Sequence, residues 1–167
     1  ALRVGGMQLF KSEAFDTFGK ILPRAGEIAA SLSWLYVGLT VACMVVYNGF
    51  GMNAFDALCH AMTTIATGGF ANYDASFATF APGVEYAAAL FMALAALPFV
   101  RYVQLLGGTL DAPLRDPQVR AFAGTLLAAA LLMVVWQVTS SERGWEPALR
   151  KALFNVTSIV TGTGYAS

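Results

Sequence analysis

The sequence Thr63-Thr64-Ile65-Ala66-Thr67-Gly68-Gly69-Phe70 carries two adjacent glycines directly after a short apolar pattern. Phe55, Leu58, Met62 and Ile65 recur at the spacing of one helix face. The helix they predict is too short to cross a bilayer, which takes about 20 residues. A helix broken at membrane depth is tolerated only where its free backbone groups face protein or a water-filled cavity. This first Gly-rich turn, Thr67 to Phe70, therefore predicts a re-entrant loop.

The same design returns near the end of the sequence. A second short apolar pattern ends in Thr161-Gly162-Thr163-Gly164-Tyr165, the second Gly-rich turn. The two short helices align without gaps, so that Gly69 matches Gly164 and Phe70 matches Tyr165. Internal repetition of this kind is common in channels and transporters that are built from repeats.

Composition places the chain in a membrane. It is 57% hydrophobic and 12% charged, with a mean hydropathy of +0.62, outside the usual range of a soluble domain. Runs long enough to span a bilayer cover about 31–47, 84–106 and 119–138. Ten basic and ten acidic residues cancel, so that charge favours no nucleic acid and no acidic surface partner. Membrane lipid is the expected surrounding.

Basic residues are distributed unevenly about these spans. A span, a re-entrant loop and a second span return the chain to the side on which it started. The basic residues on that side are Arg3, Lys11, Lys20, Arg24, Arg115 and Arg120. Those on the other side are Arg143, Arg150 and Lys151. The positive-inside rule places the first side in the cytoplasm and predicts that both Gly-rich turns enter from outside.

The Gly-rich turns offer backbone oxygens rather than charged side chains. A potassium ion that leaves water needs oxygens in place of its hydration shell, and carbonyls of an extended strand supply them. Glycine permits the unusual φ/ψ that points successive carbonyls towards one axis. A hydroxyl of Thr67 or Thr163 adds a ligand or holds the strand. Neither turn contains Asp or Glu, the usual ligands of divalent ions. A monovalent ion therefore fits these turns better than a divalent one, and no covalently bound cofactor is predicted.

The residues around both turns resemble one family. The stretch Thr63 to Phe70, with Asp74-Ala75-Ser76 shortly after it, and the stretch Phe154 to Tyr165 look like the second and third pore loops of the TrkH family. Val4 to Phe10 and Arg115-Asp116-Pro117 look like linkers of that family, the membrane subunits of bacterial Trk potassium uptake systems. Its superfamily, which includes KtrB and plant HKT proteins, carries four helix, pore-loop, helix repeats around one pore.

The resemblance, which spans nearly the whole chain in one register, implies an all-α integral membrane fold of potassium-channel-like repeats. It makes this chain an internal fragment of a four-repeat pore. The implied parts are the end of the first repeat with a cytoplasmic linker (1–30), the second repeat (31–106), a further cytoplasmic linker (107–118) and the first half of the third repeat (119–167).

The resemblance also implies which residues meet the ion. The filter residues that bind potassium through their backbone carbonyls would be Thr67, Gly68, Gly69, Gly162, Thr163 and Gly164. Phe70 and Tyr165 would support the filter. The whole protein would be a multi-pass protein of the bacterial inner membrane that takes up potassium, as a homodimer with the cytoplasmic nucleotide-binding regulatory subunit TrkA.

Another function class stays open. A secondary transporter of another cation or small solute also uses broken helices, although a charged residue at the midplane is hard to find here. An enzyme is not predicted, because the single histidine, His60, has neither a nucleophile nor paired carboxylates spaced for catalysis. We expect His60 to be a satisfied, buried imidazole, or one packed at a helix interface, rather than a pH sensor.

Charged residues near the spans have two readings each. Arg101 is expected either to snorkel or to bond a carbonyl that Pro98 frees by interrupting the helix. Glu85 and Asp74 fall on the predicted outer side, where they either draw cations to the mouth or are ordinary surface residues.

Overall fold

A computed structural model of the chain describes residues 25–106, 116–140 and 144–167. Within these residues the fold is all-helical and matches the predicted class of integral membrane protein. The elements are α1 (Ala25–Gly49), α2 (Ala54–Ile65), a 3₁₀ helix (Ser76–Thr79), α3 (Pro82–Ala95), α4 (Phe99–Leu106), α5 (Pro117–Ser140) and α6 (Trp145–Val160). The linkers predicted at 1–30 and 107–118 lie mostly outside the described residues.

Among the described residues, helices α1 and α5 are the ones that can span a membrane by themselves. The apolar stretch Ala29–Gly49 of α1 has 21 residues and α5 has 24. At 1.5 Å per residue both exceed about 30 Å, the thickness of a hydrocarbon core. Helix α1 therefore confirms the first predicted span, and helix α5 confirms the third.

The second predicted span is not one helix. Helix α3 ends at Ala95, α4 begins at Phe99, and the two axes differ by 89°. Pro98 lies between them and has no N–H to continue the helix, and the residue before a proline is disfavoured in helical geometry. The predicted interruption at Pro98 is therefore confirmed, and the predicted span over 84–106 consists of a bent pair of helices rather than one straight helix.

The carbonyl that Pro98 frees is that of Leu94, four residues earlier, and Tyr102 takes it. The hydroxyl of Tyr102 donates to this carbonyl at 2.6 Å. The guanidinium of Arg101 instead forms an ion pair with Asp116, directly before α5, and donates to the side chain of Gln104 at 2.8 Å. A carboxylate holds a guanidinium more strongly than a neutral carbonyl does. The expected bond from Arg101 to a freed carbonyl was therefore wrong.

Helices α2 and α6 are the short ones that lead into the Gly-rich turns. Their 12 and 16 residues give lengths of about 18 and 24 Å, less than the core of a bilayer. The side chain of Asn53 caps α2 by accepting from the backbone N–H of Asp56 at 2.9 Å. Helix α6 begins at Trp145, and Pro147 sits in its first turn, where a missing N–H costs nothing.

The core consists of buried side chains from α1, α2, the 3₁₀ helix, α3 and α6. Helix α2 packs against α1 and α3, and α6 packs against α3 and α5. Phe77, from the 3₁₀ helix, is fully buried at the centre. The centroid of its ring lies 4.5 Å from that of Tyr165, 5.1 Å from that of Phe154 and 5.4 Å from that of His60. One aromatic cluster therefore joins the surroundings of both Gly-rich turns.

Candidate functional site

The first Gly-rich turn leaves α2 through a tight, hydrogen-bonded geometry. The N–H of Ala66 donates to the carbonyl of Met62 at 3.0 Å, and the N–H of Thr67 donates to that of Thr64 at 3.1 Å. The backbone then becomes left-handed at Thr67 (φ +51°) and at Gly69 (φ +67°), but not at Gly68 between them. For Thr67 this conformation costs about 1–2 kcal/mol, because its Cβ crowds the following carbonyl.

The second Gly-rich turn repeats this geometry at the aligned positions. The N–H of Thr161 donates to the carbonyl of Thr157 at 2.9 Å, and the N–H of Gly162 donates to that of Ile159 at 3.1 Å. The left-handed residues are Gly162 (φ +75°) and Gly164 (φ +91°). The gapless alignment of the two short helices is therefore reproduced in these two hydrogen bonds and in the left-handed positions. The next hydrogen bond differs by one residue, because the carbonyl of Thr63 accepts from Gly68, whereas that of Ser158 accepts from Gly164.

Alternating backbone handedness has a chemical consequence. In an ordinary extended strand φ is negative throughout and neighbouring carbonyls point to opposite sides. A positive φ at every second residue turns over the intervening peptide groups, so that successive carbonyls can face one side. A row of carbonyls with no side-chain charge is suited to a partly dehydrated monovalent cation.

A hydroxyl on each short helix holds the end of its own turn. The hydroxyl of Thr63 donates to the carbonyl of Phe70 at 2.9 Å, and that of Ser158 donates to the carbonyl of Tyr165 at 2.8 Å. Neither Thr63 nor Ser158 was predicted from the sequence to hold the Gly-rich turns. The signal was present, since Thr63 and Ser158 occupy aligned positions.

The two aromatic residues that follow the turns have different surroundings. Tyr165 is 4% exposed and Phe70 is 76% exposed. The hydroxyl of Tyr165 donates to the carbonyl of His60 at 3.1 Å. The hydroxyls of Thr63 and Thr64 lie within hydrogen-bond distance of the same oxygen, that of Thr64 at 3.3 Å. The end of the second turn is therefore fastened to the helix that leads into the first.

The two Gly-rich turns also touch each other. A Cβ added to Gly69 would overlap the carbonyl oxygen of Thr163 and lie 3.3 Å from the carbonyl carbon of Gly164. The hydroxyl of Thr163 is buried and lies 2.8 Å from that of Thr161. Of its two predicted tasks, holding the strand fits this contact.

His60 lies behind the turns. It is fully buried, as predicted, and its Nδ1 lies 2.8 Å from the carbonyl oxygen of Asp56. Its Nε2 has no hydrogen-bond partner among the described residues, so the prediction of a fully satisfied imidazole was wrong. A carbonyl only accepts, so Nδ1 carries the proton. The rings of Phe77 and Phe80 meet the imidazole edge to face. His60 thus fills the wall of the site.

Asp56 fastens the segment after the first turn to the start of α2. Its carboxylate accepts from the amide of Asn72 at 2.7 Å, from the hydroxyl of Tyr73 at 2.8 Å and from the amide of Asn53. These hydrogen bonds, that of Asn72 foremost, hold the pKa of Asp56 below its usual range.

The lowered pKa predicts acid sensitivity at this point. A carboxylate with a depressed folded-state pKa stabilises the fold above its unfolded pKa of about 4 and loses that contribution as the pH falls through the folded value. The variant Asp56→Asn should therefore be less stable at pH 7 and lose less further stability on acidification. Thermal unfolding of the full-length protein in detergent between pH 7 and pH 3 measures both. Asp74→Asn, at an exposed carboxylate nearby, is the control, and an unchanged acid response of Asp56→Asn would contradict this assignment.

Glu85 does not face the mouth. It is 3% exposed and pairs with Arg150 of α6, with 2.7 Å between Oε2 and Nη1. Both readings made from the sequence, attraction of cations and ordinary surface exposure, were therefore wrong for Glu85. Asp74 is exposed, as a surface residue is.

Removing the hydroxyl of Tyr165 should weaken the link between the second turn and α2. Its partners keep other bonds, since Thr63 reaches the carbonyl of Phe70 and Thr64 reaches that of His60. We therefore expect Tyr165→Phe to cost only about 1 kcal/mol of stability. Unfolding of the full-length variant measures this. Tyr36→Phe, which loses a single longer bond of 3.4 Å to Met62, is the control and should cost less. Equal losses would argue against a special role for the Tyr165 hydroxyl.

Fold and site together define an integral membrane protein in which two short helices end in glycine-rich turns that contact each other. Comparisons with known proteins refine this class. The family model for TrkH, described as a cation transport protein, matches residues 2–138, which include the first turn.

Relatives extend the match over both turns. The chain is 44% identical to the Trk system potassium uptake protein TrkI of Halomonas elongata, over 99% of this chain and 34% of that protein. It is 36% identical to TrkH of Salmonella typhimurium, over 99% of this chain and 35% of that protein. The crystal structure of the potassium transporter TrkH from Vibrio parahaemolyticus superposes with a TM-score of 0.81 at 30% identity, covering 89% of this chain and 33% of that one.

This chain belongs to the TrkH family of cation transport proteins. It spans about a third of the length of the curated relatives that it matches. Membership and the spanning helices confirm the prediction of a multi-pass protein of the bacterial inner membrane. The family consists of transporters, in agreement with the prediction that the chain is not an enzyme.

Proposed function

We propose that this chain forms part of a potassium uptake pathway whose selectivity filter is built from backbone carbonyls. The observation that carries the proposal is the matched alternation of left-handed residues in the two Gly-rich turns, Thr67 and Gly69 in one and Gly162 and Gly164 in the other. The relatives at 44% and 36% identity are named as potassium uptake proteins, which favours the same substrate.

The ion-facing groups are then the carbonyls of Thr67, Gly68, Gly69, Gly162, Thr163 and Gly164. Phe70 and Tyr165 support them, Tyr165 from its buried position behind the turns and Phe70 from an exposed one. The two turns resemble the second and third of the four pore loops of the family, and they would make half of a four-part ring. Residues 31–106 are then the second repeat of the whole protein, and residues 119–167 are the first half of the third. Transport needs no covalent step, because the filter exchanges water oxygens for carbonyl oxygens.

Assembly is part of the same proposal and rests on the family. The whole protein works as a homodimer in lipid, with the cytoplasmic nucleotide-binding subunit TrkA as regulator. The segments 1–30 and 107–118 are the cytoplasmic linkers of this proposal, and the regulatory subunit contacts the first of them.

Ion flux into liposomes that contain the full-length protein tests the proposal. We expect rubidium, a potassium mimic, to enter faster than sodium, with empty liposomes as the control. Saturable uptake of an organic solute without rubidium flux would instead favour a secondary transporter that uses the bent pair α3 and α4. Equal rubidium and sodium fluxes would contradict a selective filter.

A further inference from the structure

Buried charges join α3 to α6. Nη1 of Arg150 lies 2.7 Å from Oε2 of Glu85, and the side chains are only 12% and 3% exposed. Arg150 belongs to the helix that leads into the second Gly-rich turn. Glu85 belongs to the helix that follows the first. The pair therefore connects the helices next to the two Gly-rich turns, and its members are 65 positions apart in sequence.

A second contact closes this pair into a network. Nε of Arg150 lies 3.2 Å from Oε1 of Glu146, one turn earlier on α6. The same oxygen accepts from the hydroxyl of Tyr86 at 3.2 Å. Adjacent residues of α3 thus hold residues one turn apart on α6. A planar guanidinium that is bonded to carboxylates on two sides fixes the orientation of the two helices as well as their distance.

Stability alone is a weak reason for such a pair. Burying two charges costs desolvation energy that their attraction repays only in part, and apolar residues of similar size often stabilise more. Apolar contacts are not directional, however, so that they allow a helix to slide or rotate. A charged pair with defined geometry holds α6 in one register against α3.

The register of α6 sets the place of the second turn. The end of this turn is tied to α2 by the hydroxyl of Tyr165. It is also tied to the 3₁₀ helix, because the N–H of Phe77 donates to the carbonyl of Ala166 at 3.1 Å. The pair of Glu85 and Arg150 holds the first half of α6. Because the backbone of Gly69 closely approaches the carbonyl of Thr163, a small shift of α6 changes the spacing of the two turns.

We propose that Glu85 and Arg150 are positioning residues that set the spacing between the two Gly-rich turns and, through it, the discrimination between potassium and sodium. The inference rests on the proposed filter function. It adds residues outside both turns that determine ion specificity without touching the ion.

The test compares rubidium and sodium fluxes of full-length variants in liposomes, normalised to folded protein. The double variant Glu85→Gln/Arg150→Gln keeps the shape of Glu85, shortens the side chain at position 150 and leaves no buried charge unpaired. We expect its rubidium to sodium flux ratio to fall at least about threefold, within the usual coupling range of contacting residues. The exchange Glu85→Arg/Arg150→Glu should recover part of the ratio. Lys151→Gln, which removes the neighbouring cation of α6, is the matched control and should leave the ratio unchanged.

The possible results separate the two claims. An unchanged ratio in the folded double variant, or equal losses of both fluxes, means that the pair only holds the helices together and overturns the inference. If single variants do not fold, the neutral double variant and the exchange still decide the question. A wild-type protein that does not prefer rubidium over sodium overturns the proposed function first, and this inference with it.

Discussion

Replacing Gly69 with alanine is expected to reduce rubidium flux through the full-length protein at least about tenfold, the equivalent of about 1.4 kcal/mol. Two costs combine at this position. The backbone is left-handed, which an alanine resists, and the added methyl group would overlap the carbonyl of Thr163. The second turn must then move, and the spacing of the candidate filter changes. Flux into liposomes, compared between rubidium and sodium, measures the result.

Two further glycines serve as controls for Gly69. Gly162 is also left-handed, but nothing lies within 4 Å of a Cβ added to it among the described residues. Gly162→Ala should therefore show the backbone cost alone and an intermediate loss of flux. Gly124 lies inside α5 with an ordinary φ and no close neighbour there, so that Gly124→Ala should retain flux. A Gly69→Ala protein with normal flux and selectivity would contradict the proposed role of the contact between the turns.

Truncating Phe77 should cause the largest loss of stability. Its ring is fully buried and contacts the aromatic rings behind both Gly-rich turns. Phe77→Ala leaves a cavity, for which the usual cost is about 3–5 kcal/mol. Because Tyr165 and His60 line that cavity, both turns lose their backing at once. Thermal unfolding of the full-length protein in detergent measures the loss.

A graded substitution separates packing from other effects of the Phe77 change. Phe77→Leu retains most of the volume and should cost clearly less than Phe77→Ala. Both variants should keep the helical content of the wild type, since Phe77 lies outside the long helices. Equal losses in the two variants would show that the aromatic edges, and not the filled volume, stabilise the cluster.

Local sequence determined the short helices and their turns. Asn53 as a cap and Gly69 and Gly164 as left-handed residues follow from preferences of a few neighbouring residues, and the structure has them where the sequence placed them. The long apolar runs of α1 and α5 likewise predict spans by length and composition. What these residues do with an ion remains a proposal.

The second span shows where local reasoning was incomplete. Pro98 marks an interruption in the sequence, but a proline permits either a modest kink or a complete break. The 89° bend depends on contacts that close the break, the hydroxyl of Tyr102 on Leu94 and the pairing of Arg101 with Asp116. Asp116 lies beyond the second span in sequence, so the hydrophobic pattern of that span could not predict its pairing with Arg101.

By itself the sequence determined the membrane setting, the helix lengths and the two Gly-rich turns, because each depends on residues within a few positions of one another. Only the tertiary structure decided that Tyr165 is buried while its counterpart Phe70 is exposed, and that Glu85 is held by Arg150. These outcomes depend on groups 65 and 105 positions apart in sequence that packing brings within hydrogen-bond distance. Aligned residues with the same local preferences can therefore have different neighbours, and it is the neighbours that set burial and charge pairing.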